Sequence, residues 1–420
     1  MFSKLKSTYH EFPKNFWLIV VAAFVDGIGM YILFPFFGLY ITGHFDVGVT
    51  EVGVVFMLFS MGGIIGGILG GTIADKLGRK GIILFGMITS GLSSVFLGYF
   101  IDISFFYFAA IIVGVFGNIG GPGRQAMVSD ILPGKQYVEG FGILRVASNL
   151  AAIIGPAIGG FLAVKDFMLI FYADAILGIG MAIILWIFLP ETKPEKKGGE
   201  KLHSLVETLK GYRLVIKDRI FMAFFGVFTL TTMVFIQLNT TLSVFLFGAY
   251  NFPADKFGLL LTMNATIIVV FQFWVTRKIK KFPPMIMMAI GSLLYTIGFT
   301  MFGFVSQEIL FLVAMIIITM GNMITAPFSQ SLVSFFALED KRGRYMAIFG
   351  FSWILPMLIG VLGAGIILDG PHPNWLWYLS GILLILAVMG YLWLHQVLKQ
   401  KTVEEKGNFP NEDNGGNPIR

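Results

Sequence analysis

The chain has 420 residues, of which 56% are hydrophobic and 13% charged, with a net charge of +6 and no cysteine. Soluble domains carry a charged fraction of about 25%, so this composition excludes an ordinary soluble fold. The missing cysteines exclude a disulfide framework, thiolate chemistry and a cysteine-based metal site.

Residues 1–15 carry Lys4, Lys6 and Lys14 ahead of an apolar run over 16–42. That run is too long for the core of a signal peptide and no small-residue cleavage site follows it, so it predicts a retained first helix. Further runs fall at 51–75, 81–101, 104–130, 137–164, 167–189, 219–248, 256–276, 284–304, 307–336, 343–368 and 374–396. Each is long enough to cross a bilayer core of about 30 Å. The fold class read from this is an all-α membrane protein with 12 transmembrane helices. All but four Lys and Arg residues fall on one predicted side; the exceptions are Arg124 and Arg145 within helices and Lys165 and Lys256 in opposite-side loops. That asymmetry predicts a multi-pass protein of the inner (plasma) membrane with both termini cytoplasmic. It also accounts for the net positive charge without a nucleic-acid partner.

Asp26 lies about ten residues into the first run, and at ~1.5 Å per residue it sits ~15 Å deep, near the midplane. An acid there is costly, so a proton carrier or cation-binding group is the functional reading and a structural carboxylate the alternative. Asp174 is a second candidate, although it and Arg145 could equally snorkel or pair between helices. Between the second and third runs comes Gly71-Thr-Ile-Ala-Asp75-Lys76-Leu-Gly78-Arg79-Lys80. The positive-inside effect explains its cations but not the Gly-x-x-x-Asp before them, which points to a gate or hinge between rigid pieces.

In the fifth run, Gly142 and Ala151 precede Gly155-Pro156-Ala-Ile-Gly159-Gly160. Small residues at this spacing let helices approach closely, and the proline permits a bend. Residues 190–218 form a polar linker in which Leu205, Leu209, Tyr212 and Ile216 recur at helical spacing, predicting an amphipathic helix along the membrane surface. It divides the chain into halves over 16–189 and 219–396, ahead of a polar, disordered cytoplasmic tail over 397–420. The halves read as a duplicated unit: Gly117-Asn118 through Ser129 can be laid on Gly321-Asn322 through Ser334. The counterpart of the Gly71–Lys80 turn, Thr276-Arg277-Lys278-Ile-Lys280-Lys281, keeps cations but lacks the acid and glycines. Polar residues near helix centres, namely Asp26, Asn118, Gln237 with Asn239, and Asn322, suggest a cavity. The surrounding Phe225, Phe228, Met233 and Phe235 suit a lipophilic solute better than a sugar. Scattered histidines offer no metal or nucleophile constellation, and no phosphate-binding Gly-x-x-x-x-Gly-Lys is present, so neither an enzyme nor a cofactor is expected.

From the Gly71–Lys80 turn and the span pattern, the chain resembles the major facilitator superfamily over about residues 16–396. The fifth run is similar to the antiporter motif of its drug:proton antiporter branch, with Ala151 where that motif has glycine. The resemblance implies two pseudo-symmetric six-helix bundles, with the first, fourth, seventh and tenth helices lining the translocation path. It implies that Asp75 engages the amino end of the eleventh helix near Arg344, and that Arg79 pairs with Asp130. One departure is that the arginine many such antiporters carry in the fourth helix would fall near Gly114 and is missing; Arg124 is not an obvious replacement. The expected function is a secondary active transporter exporting lipophilic, cationic small molecules in exchange for protons, working as a monomer in the bilayer. The alternative is a proton-coupled symporter importing a small nutrient.

Overall fold

The computed structural model describes residues 11–132, 134–192, 213–337 and 342–407. Among these, 12 helices are long and apolar enough to cross a membrane: α1 (Lys14–Phe45), α2 (Val49–Lys76), α3 (Arg79–Leu97), α4 (Ile103–Ile131), α5 (Glu139–Lys165), α6 (Met168–Phe188), α7 (Arg219–Thr240), α8 (Ala254–Ile279), α9 (Pro284–Met301), α10 (Glu308–Phe336), α11 (Gly343–Leu368) and α12 (Trp375–Gln400). No strand occurs among the described residues. Large apolar side chains such as Phe105, Ile176, Trp186, Phe273 and Phe335 are exposed on the outside of the bundle. In water this would be prohibitive; against acyl chains it is the ordinary surface of a spanning helix.

Several spans are interrupted where the chain chemistry demands it. Pro35 sits in a 3-10 turn, Phe34–Phe36, that divides α1. α4 is divided at Gly120, ahead of Gly121-Pro122. α7 gives way to a further helix, Leu242–Tyr250, and Pro356 opens a π-turn, Pro356–Gly360, within α11. Proline lacks the amide that would donate into the helix, so the freed carbonyls seek other partners. Beyond α12 the helix continues to Gly407, so the start of the tail expected to be disordered from 397 is helical, with no breaker before that glycine. In the linker, Leu205, Leu209 and Tyr212 lie outside the described residues, while Val215 is buried and Ile216 exposed.

Helix contacts sort α1–α6 and α7–α12 into two groups with the same internal pattern. The pairs α2/α4, α1/α5, α1/α6 and α3/α6 recur six helices later as α8/α10, α7/α11, α7/α12 and α9/α12. Between the groups, α2 packs on α11 and α5 on α8. The cores locate that junction. At the end away from the chain termini one buried cluster is shared by both groups, including Phe36, Val52, Phe106, Leu242, Phe257 and Trp377. At the terminal end each group has its own cluster, one around Phe16, Met127 and Leu185 and the other around Phe221, Met288 and Tyr391. The halves therefore share one core at one end and have separate cores at the other.

Candidate functional site

The site lies where α4 meets α1 and α2. α4 is held against α2 by Gly62, Gly66 and Gly70, where added side chains would meet the backbone of Ile111, Val115 and Ile119. Past the break at Gly120, the second segment presents Arg124 toward α1, where its Nη1 donates to Asp26 Oδ2 at 2.8 Å. The two side chains remain 28% and 38% exposed, so the pair is reachable from the space between helices. A charge-assisted guanidinium–carboxylate bond is strong and directional. The pair is neutral as a unit; a proton on Asp26 would leave an unmatched guanidinium, changing the local charge by one.

Asp174 occupies a different setting. Its Oδ2 accepts from Ser94 Oγ at 2.9 Å, and its carboxylate rests on Gly29 of α1, where a side chain could not fit. It therefore ties α6 to α3 and α1, about one turn along α1 from Asp26. Arg145 of α5 crosses the gap between halves and donates to Gln330 Oε1 of α10 at 3.2 Å. Among the described residues, no group of three or more His, Asp or Glu could hold a metal ion.

The amides expected to line a cavity divide into two kinds. Asn118 is exposed beside Gly63 and donates to the Gly114 carbonyl at 3.2 Å, while Asn239 and Asn322 are half-buried. Gln237 differs from the expectation. It is buried, donates to the carbonyls of Met233 and Gly360, each at 3.1 Å, and accepts from Thr241 Oγ1 at 2.7 Å. Its bond to Gly360 supplies a donor at the π-turn of α11, so its amide is committed to joining α7 and α11. Phe228 is likewise buried, stacked on Phe224 and Phe349 in the carboxyl-half core; Phe225, Met233 and Phe235 are half-buried.

The Gly71–Lys80 turn is tied into the amino half. Arg79 Nε lies 3.0 Å from Asp130 Oδ2 at the end of α4. Glu191 accepts from the backbone amides of Arg79 at 2.8 Å and Lys80 at 3.1 Å, satisfying the first turn of α3. Gly78 has φ +118°, and its missing side chain leaves room for the Glu191 carboxylate. Lys80 Nζ donates to the Trp186 carbonyl at 2.8 Å, at the end of α6. Asp75 stands apart: its side chain is 75% exposed and 3.8 Å from Arg79, with no bond to Arg344 or the rest of α11 among the described residues. Gly71 and Lys76 lie on the same last turns of α2. Glu191 was missed in the sequence as a structural residue, although its place just after α6, facing three cations, was a signal for it.

The small residues of α5 serve two faces. Side chains at Gly155 and Gly159 would run into α1 at Tyr31 and Ile32, and one at Gly160 would run into α8 at Ala254 and Asp255. The Pro156 carbonyl abuts Gly258 of α8, and Thr262 Oγ1 donates to the Ile153 carbonyl at 2.9 Å. Gly142 is exposed with open space around it. This stretch thus forms part of the closed junction between halves.

A family model described as Major Facilitator Superfamily matches residues 19–345. The Na(+), Li(+), K(+)/H(+) antiporter of Planococcus maritimus is 23% identical over 420 residues, covering 94% of this chain and 98% of that protein. Quinolone resistance protein NorA of Staphylococcus aureus is 25% identical over 290 residues, covering 68% of this chain and 72% of that one. Among solved structures, the nucleoside transporter NupG superposes with a TM-score of 0.76 at 12% identity, covering 91% of this chain and 99% of that one; at that identity the likeness is one of fold. With twelve spans and a family match over most of its length, this chain is a membrane transporter rather than an enzyme and belongs to the Major Facilitator Superfamily.

Proposed function

We propose that the protein exchanges protons for lipophilic cations, exporting them across the plasma membrane by alternating access, with Asp26 and Arg124 as the coupling site. The observation that carries this reading is their 2.8 Å ion pair, partly exposed near the middle of the first span. With Asp26 ionised, the pair is neutral and a cation can approach the carboxylate. With Asp26 protonated, the free guanidinium repels the same cation. Proton and substrate therefore exclude one another through one carboxylate, which is the reciprocal coupling that exchange requires. The charge distribution supports cytoplasmic termini, and on that orientation the open end faces the cytoplasm, where an exporter loads.

Alkali cations are a second reading, favoured by the nearly full-length similarity to the Planococcus protein. Both share the competition at Asp26 and differ in the size and hydration of the solute. In everted vesicles containing the protein, energisation should drive accumulation of ethidium, with release on adding a protonophore. Proton efflux on adding Na+, Li+ or K+ instead would assign alkali cations. Ethidium accumulation in energised right-side-out vesicles above that in vesicles lacking the protein would contradict export and favour a symporter.

A further inference from the structure

The junction between halves carries a polar contact that the coupling site does not use. Asp369 follows the last residue of α11, and its carboxylate closes over the start of α2. Its Oδ1 accepts from the Val49 amide at 2.7 Å, and its Oδ2 accepts from the Thr50 amide at 2.7 Å and Thr50 Oγ1 at 2.6 Å. Gly48 leaves the space the carboxylate fills, and Gly365, one turn before Asp369, lies against the backbone of Val49 and Thr50. An acid from one half thus caps the 28-residue α2 of the other, where two amides have no intrahelical partner and the helix dipole favours negative charge.

The opposite end of the same helix pair is built alike. α2 and α11 run in opposite directions, so the last turn of α2 lies at the end where α11 begins. Gly71-Thr-Ile-Ala-Asp75 ends α2 and Gly365-Ile-Ile-Leu-Asp369 ends α11, with the same glycine-to-acid spacing. At the closed end the acid is engaged; at the open end Asp75 is 75% exposed. We propose that Asp369 is a latch at the closed end, reciprocal to Asp75, holding the present state and releasing when the halves rock to the opposite one. Rigid halves cannot bring both ends of the α2/α11 pair together at once, so the two acids alternate. The inference rests on the alternating-access part of the proposed function and not on the identity of the solute.

The chain has no cysteine, so spin labels can be placed at will. Gly43→Cys with Gly248→Cys reports the closed end, and Gly81→Cys with Gly343→Cys the open end; a side chain at each of these positions meets open space. Double electron–electron resonance on the full chain in lipid nanodiscs should show Asp369→Asn lengthening the first distance and shortening the second. The ratio of the two states should change at least about threefold. Thr50→Val removes one of the three bonds, keeps the backbone cap and should shift both distances the same way by less, which guards against misfolding of the first variant. Unchanged distributions in both variants would overturn the latch. Ethidium transport, measured in parallel, separates the two proposals: a shift without export keeps the latch and removes the exporter, and export without a shift does the reverse.

Discussion

The two halves share one helix arrangement but not one chemistry. Among the described residues, the amino half holds the acids and arginines deep in the spans, namely Asp26, Arg124, Arg145 and Asp174, and a turn buttressed by Asp130 and Glu191. The carboxyl half repeats the packing with neutral polar contacts: Gln237 to Gly360, Asn264 to Thr319 at 2.7 Å, and Tyr295 with Thr325 at 3.1 Å. Neutral hydrogen bonds hold helices together but cannot register a proton. The difference teaches that one helix arrangement can be repeated while charged residues inside the spans are confined to one copy.

The comparison breaks most visibly at Arg124. Arg124→Gln leaves Asp26 without its partner, and truncating one side of such a pair costs enough to lower uphill transport roughly thirtyfold or more. Arg124→Lys should recover part of it. The double variant Asp26→Asn with Arg124→Gln should be no worse than either alone, since the two act as one unit; additive losses in a transport assay would separate them.

A smaller effect is expected at the turn. Asp75→Asn removes an acid available to the amino end of α11 when the open end closes, and transport should fall about two- to fivefold at unchanged membrane abundance. Full transport would return the turn to a topology signal. Smaller still for turnover is Gln237→Ala in the carboxyl half. It deletes the α7–α11 bond to Gly360 and leaves Thr241 without its acceptor, at a cost of about 1–3 kcal/mol of stability. Thermal unfolding in detergent should shift down, while substrate-induced proton release per folded molecule should match wild type. A selective loss of release would place coupling in both halves.

The twelve spans were legible because backbone satisfaction in lipid forces long apolar helices, and apolar runs are visible without any tertiary knowledge. Asp26 stood out because an acid at that depth is expensive wherever it points. Its partner did not. Counting turns along α4 separates Arg124 from the middle of the helix, and that it meets Asp26 of α1 is set by how the two helices pack. Gln237 misled for the opposite reason. A mid-helix amide looks the same in sequence whether it faces a cavity or repairs a π-turn, and that depended on Pro356, 119 positions later. The Asp369 cap was similarly hidden, since its partners lie 319 and 320 residues away.

The central claim is that proton and cation compete at Asp26, and it is tested most directly without a membrane. Tetraphenylphosphonium is added to purified protein in weakly buffered solutions of falling pH, and released protons are counted with a pH-sensitive dye. Wild type should release protons on binding, and Asp26→Asn, which keeps the size of the side chain but cannot cycle a proton, should release none. Equal release from both proteins would contradict the account and move the search to Asp174.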